Sequence, residues 1–164
     1  MTDTSNTNGW QAPGATERKQ ILDSTKSIAI VGASSNPARA SNFVITYLKS
    51  SLCDYDLYPV NPRETEILGL KCYPSLADLP LVPDMVDVFR RPDDCPVIAA
   101  EAIELGSKTL WLQLGIVSPE AAAIAEGAGI RTVMDRCVKI EHARFAGGLH
   151  LAGFDTGVIS SRRA

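Results

Sequence analysis

The most informative residues for chemistry follow a short apolar run, Ile28–Val31. Gly32 ends that run, and small polar residues continue from Ser34 through Asn36 toward a helix-like pattern at Ser41. A strand, a tight turn and a helix N-terminus in this order direct free backbone N–H groups and the positive end of a helix dipole at one point. The segment therefore predicts a binding site for a phosphate-bearing molecule.

Of the four cysteines, Cys137 has the neighbours that best favour a reactive thiol. Arg136, Lys139 and a nearby helix start place positive charge beside it, which favours the thiolate form. That setting suits a mixed disulfide with a ligand thiol or a nucleophilic role, and an unreactive, half-buried thiol is the simpler alternative. Glu141 and His142 lie close by, but no partner for acid–base catalysis can be identified, and we interpret that pair as a helix surface.

Composition excludes several classes of site. The chain of 164 residues has a net charge of −3, which argues against a protein that binds nucleic acid by neutralising phosphates. No apolar run approaches the roughly 18 residues of a membrane span. The four cysteines lack metal-ligand spacing and there are only two histidines, so no metal site is expected.

The chain is predicted to form one domain, residues 15–144, between two less regular segments. Residues 1–14 are polar and lack the apolar core of a secretion signal, so we expect a disordered leader. Without such a signal, scattered cysteines indicate reduced thiols and a cytoplasmic location. Residues 145–164 form a glycine-rich tail.

Strand and helix patterns alternate through the predicted domain. The predicted strands are 27–31, 56–60, 85–89, 109–112 and 131–134, and the predicted helices are 15–26, 41–50, 92–105, 119–126 and 138–144. The strands are short and continuously apolar, as expected when helices cover both faces of a sheet. The pattern predicts a single α/β doubly wound, mostly parallel five-stranded sheet of Rossmann-like type.

Local signals refine the helix boundaries. Thr16 and Ser118 are candidate N-caps, Pro92 suits a first helical turn and Gly106 suits the position after a helix end. Trp111 lies inside a predicted strand, so we expect it in the core. Residues 67–73 are predicted to be extended or irregular, and residues 75–79 a single helical turn.

A polar or glycine-bearing stretch follows every predicted strand. Because ligands of this fold bind outside the carboxyl ends of the strands, we expect these stretches to converge on one site. They are Gly32–Asn36, Asn61–Arg63, Arg90–Pro92, Gln113–Gly115 and Asp135–Cys137.

The site lacks the usual dinucleotide signature. Of the three glycines of G-x-G-x-x-G only Gly32 is present, and Pro37 stands near the third position. The end of the second strand carries Asn61–Arg63 where an acidic residue would hold a ribose diol, and Arg63 favours an additional phosphate near the ribose. The triphosphate loop G-x-x-x-x-G-K-[ST] is also absent.

The segments that follow the strands resemble those of a known family. In order, they are I-A-I-V-G-A-S-S-N-P-A-R-A-S, Y-P-V-N-P, D-V-F-R-R-P, W-L-Q-L-G and M-D-R-C-V-K-I-E-H. Over residues 27–144 the chain resembles the small stand-alone CoA-binding proteins, which are similar to the N-terminal domain of the succinyl-CoA synthetase alpha subunit. The resemblance implies binding of coenzyme A or an acyl-CoA in the cytosol. It implies no established reaction, because that family lacks the phosphohistidine and ATP-grasp parts of the synthetase.

The resemblance also implies ligand contacts at matching positions. The pyrophosphate would lie against the backbone of residues 32–34, the ribose and its 3′-phosphate against residues 61–63, and the thiol arm against the last two strand ends. The implied contact residues are Gly32, Ala33, Ser34, Asn36, Arg39, Ser41, Asn61, Pro62, Arg63, Phe89, Arg90, Gln113, Gly115, Arg136 and Cys137.

Three classes of function stay open. The first is a non-catalytic module that holds a small-molecule ligand as a carrier, sensor or partner. The second is an enzyme, either an acyl-CoA-linked transferase that uses Cys137 or an NAD(P)-dependent reductase. The third is a subunit whose other half is a separate chain, so a protein partner or a homo-oligomer is compatible with the sequence.

Overall fold

The computed structural model describes residues 10–50 and 53–146. Seven strands are present in these ranges: β1 Ser27–Val31, β2 Asp56–Val60, β3 Glu66–Ile67, β4 Leu70–Lys71, β5 Met85–Val88, β6 Thr109–Leu112 and β7 Arg131–Val133. The five α-helices are α1 Ala15–Ser24, α2 Ala40–Leu48, α3 Cys95–Leu105, α4 Pro119–Gly127 and α5 Val138–Ala146. Leu76–Asp78 and Pro92–Asp94 form single 3₁₀ turns.

Five of the strands form one parallel sheet in the order β2-β1-β5-β6-β7. Helices lie on both faces, which confirms the predicted doubly wound α/β fold. The direction of strand addition reverses between β1 and β5, and ligands of such sheets bind at that switch point. The remaining two strands, β3 and β4, form a separate antiparallel hairpin within the region predicted as extended or irregular.

Each face of the sheet has its own apolar core. On one face α1, α2 and α5 cover the side chains of Ile28, Ile30, Met85, Trp111 and Val133. On the other face α3 and α4 cover Ala29, Val86, Val88, Leu110 and Leu112. Trp111 is fully buried as predicted, and its indole Nε1 donates to the Arg136 carbonyl at 2.8 Å. The alternation of strand side chains between the two cores accounts for the continuously apolar strand sequences.

Of the predicted boundary signals, Ser118 and Gly106 are confirmed and Thr16 is wrong, while Pro92 begins the 3₁₀ turn that precedes α3. Ser118 caps α4, since its Oγ accepts from the Ala121 amide at 3.1 Å. Gly106 follows α3 with φ of +91° in the left-handed region. Thr16 is not a cap, because α1 begins one residue earlier and Gly14 takes the N-cap position. The chain then turns extended at Thr25, so α1 ends before Lys26.

A buried ion pair joins α1 to α5. Arg18 Nε lies 2.5 Å from Glu141 Oε1, and both residues are buried. Arg136 and Arg144 flank the other carboxylate oxygen at 3.6 and 3.8 Å. The interpretation of Glu141 as part of a helix surface is therefore wrong: this face of α5 points inward, where a charge requires partners.

The described residues include parts of both predicted flanking segments. Trp10, within the predicted leader, donates from its indole to the Thr132 carbonyl at 3.1 Å. Phe145 and Ala146 of the predicted tail belong to α5. The rest of both segments, residues 1–9 and 147–164, lies outside the described residues.

Candidate functional site

A cavity of about 970 Å³ opens at the carboxyl edge of the sheet. Its lining draws on the chain that follows each of the five parallel strands, as the sheet geometry predicts. Most of the predicted site residues lie in this lining: Gly32, Ser34, Arg39, Ser41, Asn61, Pro62, Arg63, Phe89, Arg90, Gln113 and Cys137. Residues that are far apart in sequence are thus brought to one concave surface.

Gly32 allows the first strand end to pass close to its neighbour. Its φ is +84°, a conformation that other residues rarely adopt. A Cβ atom on Gly32 would lie 2.5 Å from the Phe89 carbonyl oxygen and 3.0 Å from Arg90 Cδ. The position therefore excludes a side chain on two independent grounds, and the cavity floor between β1 and β5 depends on this close approach.

The start of α2 presents backbone donors to the cavity. Its N-cap residue is Arg39, which makes no side-chain cap. The backbone amides of Ala40 and Ser41 donate no hydrogen bond to any described residue, and both residues line the cavity. Unpaired amides at a helix N-terminus form an anion site because the N–H groups and the helix dipole act together.

The turn between β1 and α2 satisfies much of its own hydrogen bonding. Ser34 Oγ accepts from the Asn36 amide at 3.0 Å, and Asn36 Oδ1 accepts from the Ala38 amide at 2.9 Å. Ser35 N donates to Glu64 Oε2 at 3.0 Å. Asn36 is exposed outside the cavity lining, so its side chain shapes the turn.

Asn61 connects the second strand end to this turn. Its Nδ2 donates to the Ala33 carbonyl at 2.8 Å, and its Oδ1 accepts from the Arg63 amide at 2.8 Å. Both ends of the side-chain amide are engaged, which fixes the two turns relative to each other. Asn61 thus holds the cavity wall in place, a role that its position after the strand alone did not indicate.

Four arginines surround the cavity: Arg39, Arg63, Arg90 and Arg91. All four are exposed, and Arg90 and Arg91 share Asp94 as an ion-pair partner at 3.0 and 3.8 Å. Within residues 10–50 and 53–146, neither an ion pair nor a hydrogen bond engages the guanidinium groups of Arg39 and Arg63. These two cations are therefore available to an anionic ligand.

Gln113 and Cys137 lie toward the far end of the cavity. Gln113 is buried, and its Oε1 accepts from the Val138 amide at 3.1 Å, so it caps α5. Cys137 is half-buried and directly precedes α5, whose Glu141 amide donates to the Cys137 carbonyl at 3.0 Å. The side chains of Leu114, Ile116 and Ile140 make this end apolar.

Some predicted contact residues lie outside the lining. Ala33 is fully buried in the core, and Gly115 donates its amide to Asp135 Oδ1 at 2.7 Å in a neighbouring turn. Arg136 turns toward Glu141. Arg91, Pro92 and Leu114, which belong to the predicted strand-end stretches, do line the cavity, whereas sequence reasoning missed Ala40, Phe43, Val44, Ile116, Lys139 and Ile140.

Of these missed residues, Phe43 had a usable signal. It lies on α2 away from the buried stripe of that helix and is 59% exposed. A large aromatic residue on the polar side of an amphipathic helix indicates a binding surface.

Burial shifts the titration of the other cysteines. It raises the pKa of the Cys95 thiol to about 11 and also raises the pKa of Cys72 and Cys53. His142 lies 3.7 Å from Cys53 Sγ and 2.9 Å from Tyr47 Oη. Burial lowers the pKa of His142, so both members of the Cys53–His142 pair favour their neutral forms. This pair does not provide an activated nucleophile.

The described residues show neither a metal cluster nor a membrane helix. No group of three or more His, Cys, Asp and Glu side chains in these ranges is arranged to hold an ion. No helix among them combines the length and apolar character needed to cross a bilayer.

The fold and the site define a Rossmann-like α/β domain, with its cavity at the switch point of a doubly wound sheet. The family model described as CoA binding domain matches residues 26–143. The chain belongs to this family, which confirms the resemblance inferred from its motifs.

Similar proteins include stand-alone chains and one domain of larger enzymes. The uncharacterized protein YneT of Bacillus subtilis is 38% identical over 81% of this chain and 97% of its own length. A hypothetical protein from Pyrococcus horikoshii matches in structure with a TM-score of 0.78 and 39% identity, covering 90% of this chain and 100% of its own. The ADP-forming acetate–CoA ligase II of Archaeoglobus fulgidus is 36% identical over 51% of this chain, but only 12% of the ligase is matched.

Proposed function

We propose that this protein binds coenzyme A or an acyl-CoA in the strand-end cavity and acts as a carrier, sensor or partner without catalysing a reaction. The observation that carries the proposal is the anion site at the start of α2. There the unpaired amides of Ala40 and Ser41 lie in the same cavity as the unengaged guanidinium groups of Arg39 and Arg63. Such a site suits the pyrophosphate and 3′-phosphate of coenzyme A.

The rest of the cavity fits the remaining parts of this ligand. The apolar side chains of Leu114, Ile116 and Ile140 suit an uncharged arm and a thiol or thioester. Membership in the CoA binding domain family supports the same ligand class. A cytoplasmic location accompanies the proposal, supported by four free cysteines.

The non-catalytic role rests on the surroundings of Cys137. Within the described part of the chain, no imidazole or carboxylate lies within hydrogen-bonding distance of its Sγ. A nucleophilic cysteine is normally activated by such a base. An acyl-CoA-linked enzyme that uses Cys137 remains the second candidate, because this thiol does line the cavity.

An NAD(P)-type ligand remains a further alternative because of Glu64. Residues 61–63 at the end of the second strand include no acid, but Glu64 follows them directly and its carboxylate reaches the first turn at Ser35. An acidic side chain in that region is the usual partner of a ribose diol. Here it accepts from a backbone amide of the turn, which favours a structural role.

Isothermal titration separates these functions. Purified full-length protein is titrated with coenzyme A, dephospho-CoA, NAD and NADP under reducing conditions. We expect saturable heat with coenzyme A, weaker binding of dephospho-CoA and no binding of NAD. Binding of NAD or NADP with no heat from coenzyme A would reject the proposal.

A further inference from the structure

We propose that Cys137 forms a reversible mixed disulfide with the thiol of coenzyme A, by exchange with the disulfide form of that ligand. This inference rests on the proposed function and deepens it. Binding would become covalent when the CoA pool is oxidised, so the protein would respond to the redox state of its own ligand.

The strand order separates the cationic and sulfur ends of the cavity. Arg63 follows β2 at one edge of the sheet, and Cys137 follows β7 at the other. Four spacings of about 4.8 Å separate these strands, which places their ends roughly 19 Å apart. Coenzyme A has a matching arrangement, because its phosphates lie at one end of the molecule and its thiol lies at the end of a long uncharged arm.

An unpartnered buried hydroxyl in the same cavity independently indicates a ligand. Ser41 is only 2% exposed and lines the cavity, yet its Oγ has no hydrogen-bond partner among the described residues. Buried hydroxyl groups in proteins are almost always paired. Helices α2 and α5 pack together on one face of the sheet, and both begin at the cavity. Ser41 and Cys137 therefore stand at the starts of adjacent helices.

Cys137 is the cysteine best placed for exchange. It is half-buried in the cavity lining and directly precedes the first turn of α5. Thiol–disulfide exchange requires access of the attacking sulfur to the disulfide, and the cavity gives Cys137 that access. Cys72 and Cys95 are buried away from this cavity, and Cys53 lies beside His142.

The exchange step is balanced without another reactant. Cys137 Sγ loses its proton and attacks one sulfur of the CoA disulfide. A new bond forms between Sγ and that sulfur as the original S–S bond breaks. The released CoA thiolate takes up the proton. The oxidising equivalents come from the CoA disulfide, and a free thiol reverses the step.

Intact-mass spectrometry tests the proposal. Reduced full-length protein is incubated with CoA disulfide without oxygen, and in parallel with oxidised glutathione. We expect one adduct with the mass of one coenzyme A less the two thiol hydrogens, located on Cys137 by peptide mapping and removed by dithiothreitol. Its formation should be at least about tenfold faster than glutathionylation, because the cavity orients the ligand. Equal rates with both disulfides, or an adduct mainly on Cys53, would overturn the proposal.

Two variants separate this inference from the proposed function. Cys53→Ser should still form the adduct, whereas Cys137→Ser should not, even at concentrations of CoA disulfide far above those that saturate the wild-type protein. If Cys137→Ser binds coenzyme A and the wild-type protein gives no adduct, the covalent step is rejected and the binding function stands. If neither protein binds coenzyme A, the proposed function fails and the inference fails with it.

Discussion

Gly32 and Phe89 approach each other so closely that a Cβ atom on the glycine would lie 2.5 Å from the Phe89 carbonyl oxygen. Both residues directly follow neighbouring strands, β1 and β5, and both line the cavity. The backbone contact therefore brings the two strand ends together at the switch point of the sheet. The proposed anion site at the start of α2 lies at the end of the turn that begins with this glycine.

Replacement of Gly32 by alanine should damage both stability and binding. The left-handed backbone alone costs a residue with a side chain about 1–3 kcal/mol, and the contact with the Phe89 carbonyl adds to that cost. We expect a lower free energy of unfolding in urea and at least roughly tenfold weaker binding of coenzyme A. Gly127→Ala is the matched control, because nothing lies within 4 Å of its added Cβ. A Gly32→Ala protein as stable as the control would contradict the account.

Removal of the Glu64 carboxylate should strengthen coenzyme A binding. Glu64 Oε2 accepts from the Ser35 amide in the turn, where it both occupies a donor and repels phosphate. Glu64→Ala should improve the affinity by about fivefold, since like charges about 4 Å apart in water repel by about 1 kcal/mol. Glu64→Gln keeps an acceptor without the charge and should fall between the two proteins in calorimetry. Weaker binding by Glu64→Ala would instead assign Glu64 to ligand contact, as in dinucleotide sites.

Arg63 should determine the preference for the 3′-phosphate. Its side chain lines the cavity beside the second strand end and has no described partner. Arg63→Ala should bind coenzyme A on the order of tenfold more weakly, since a charge-assisted hydrogen bond contributes about 1.5–3 kcal/mol. Its affinity for dephospho-CoA should not change. Arg131→Ala, which removes an arginine from the start of β7, is the control. An unchanged preference for coenzyme A would remove Arg63 from the site.

The sequence predicted the sheet and the place of the cavity because both depend on simple regularities. Short apolar strands alternating with helical patterns identify a doubly wound sheet, and parallel strands place their carboxyl ends on one edge. Ser118, Gly106 and Trp111 behaved as expected because capping, positive φ and burial are local or strongly patterned properties. The convergence of Gly32, Asn61 and Cys137 follows from topology alone.

Side-chain direction within the turns could not be predicted. Ala33 and Arg136 follow strands as closely as Gly32 and Cys137 do, yet one is buried and the other faces Glu141. Which way such residues point depends on the turn backbone and on partners distant in sequence. Glu64 shows the same limit, since only the folded chain brings its carboxylate to the Ser35 amide.

Breaking the buried pair between Arg18 and Glu141 should be strongly destabilising. Their side chains are only 6% and 3% exposed, so removal of Arg18 leaves the buried Glu141 carboxylate with only its longer contacts to Arg136 and Arg144. Arg18→Met should lower the free energy of unfolding by about 3–5 kcal/mol. The exposed pair of Lys19 and Asp23 provides the control, and Lys19→Met should cost under about 0.5 kcal/mol. Similar urea midpoints for the two variants would contradict the role assigned to this pair.

Asp87 should make stability decrease as pH rises. The residue is fully buried in β5, and neither carboxyl oxygen reaches a hydrogen-bond partner among the described residues. Desolvation raises its pKa well above the usual 3.8, and the nearby Val88 amide, which does not reach hydrogen-bond geometry, opposes this only weakly. The folded state therefore holds the proton more tightly than the unfolded chain, and the stability present below pH 3.8 is lost as pH rises toward the folded-state pKa.

Asp87→Asn measures this contribution. The amide cannot ionise, so the free energy of unfolding of the variant relative to wild type should increase from pH 4 to pH 7. Chemical denaturation at a series of pH values gives the difference directly. Asp54→Asn, at an exposed position, should show no such trend. A difference between Asp87→Asn and wild type that stays constant with pH would show that Asp87 does not hold a proton in the folded protein.

The most direct test of the central claim is a crystal structure of the protein with coenzyme A. We predict that pyrophosphate oxygens lie within hydrogen-bonding distance of the amides of Ala40 and Ser41, with the thiol arm directed toward Cys137. Phosphates bound elsewhere, or a ligand outside the cavity between Arg63 and Cys137, would contradict the proposed site.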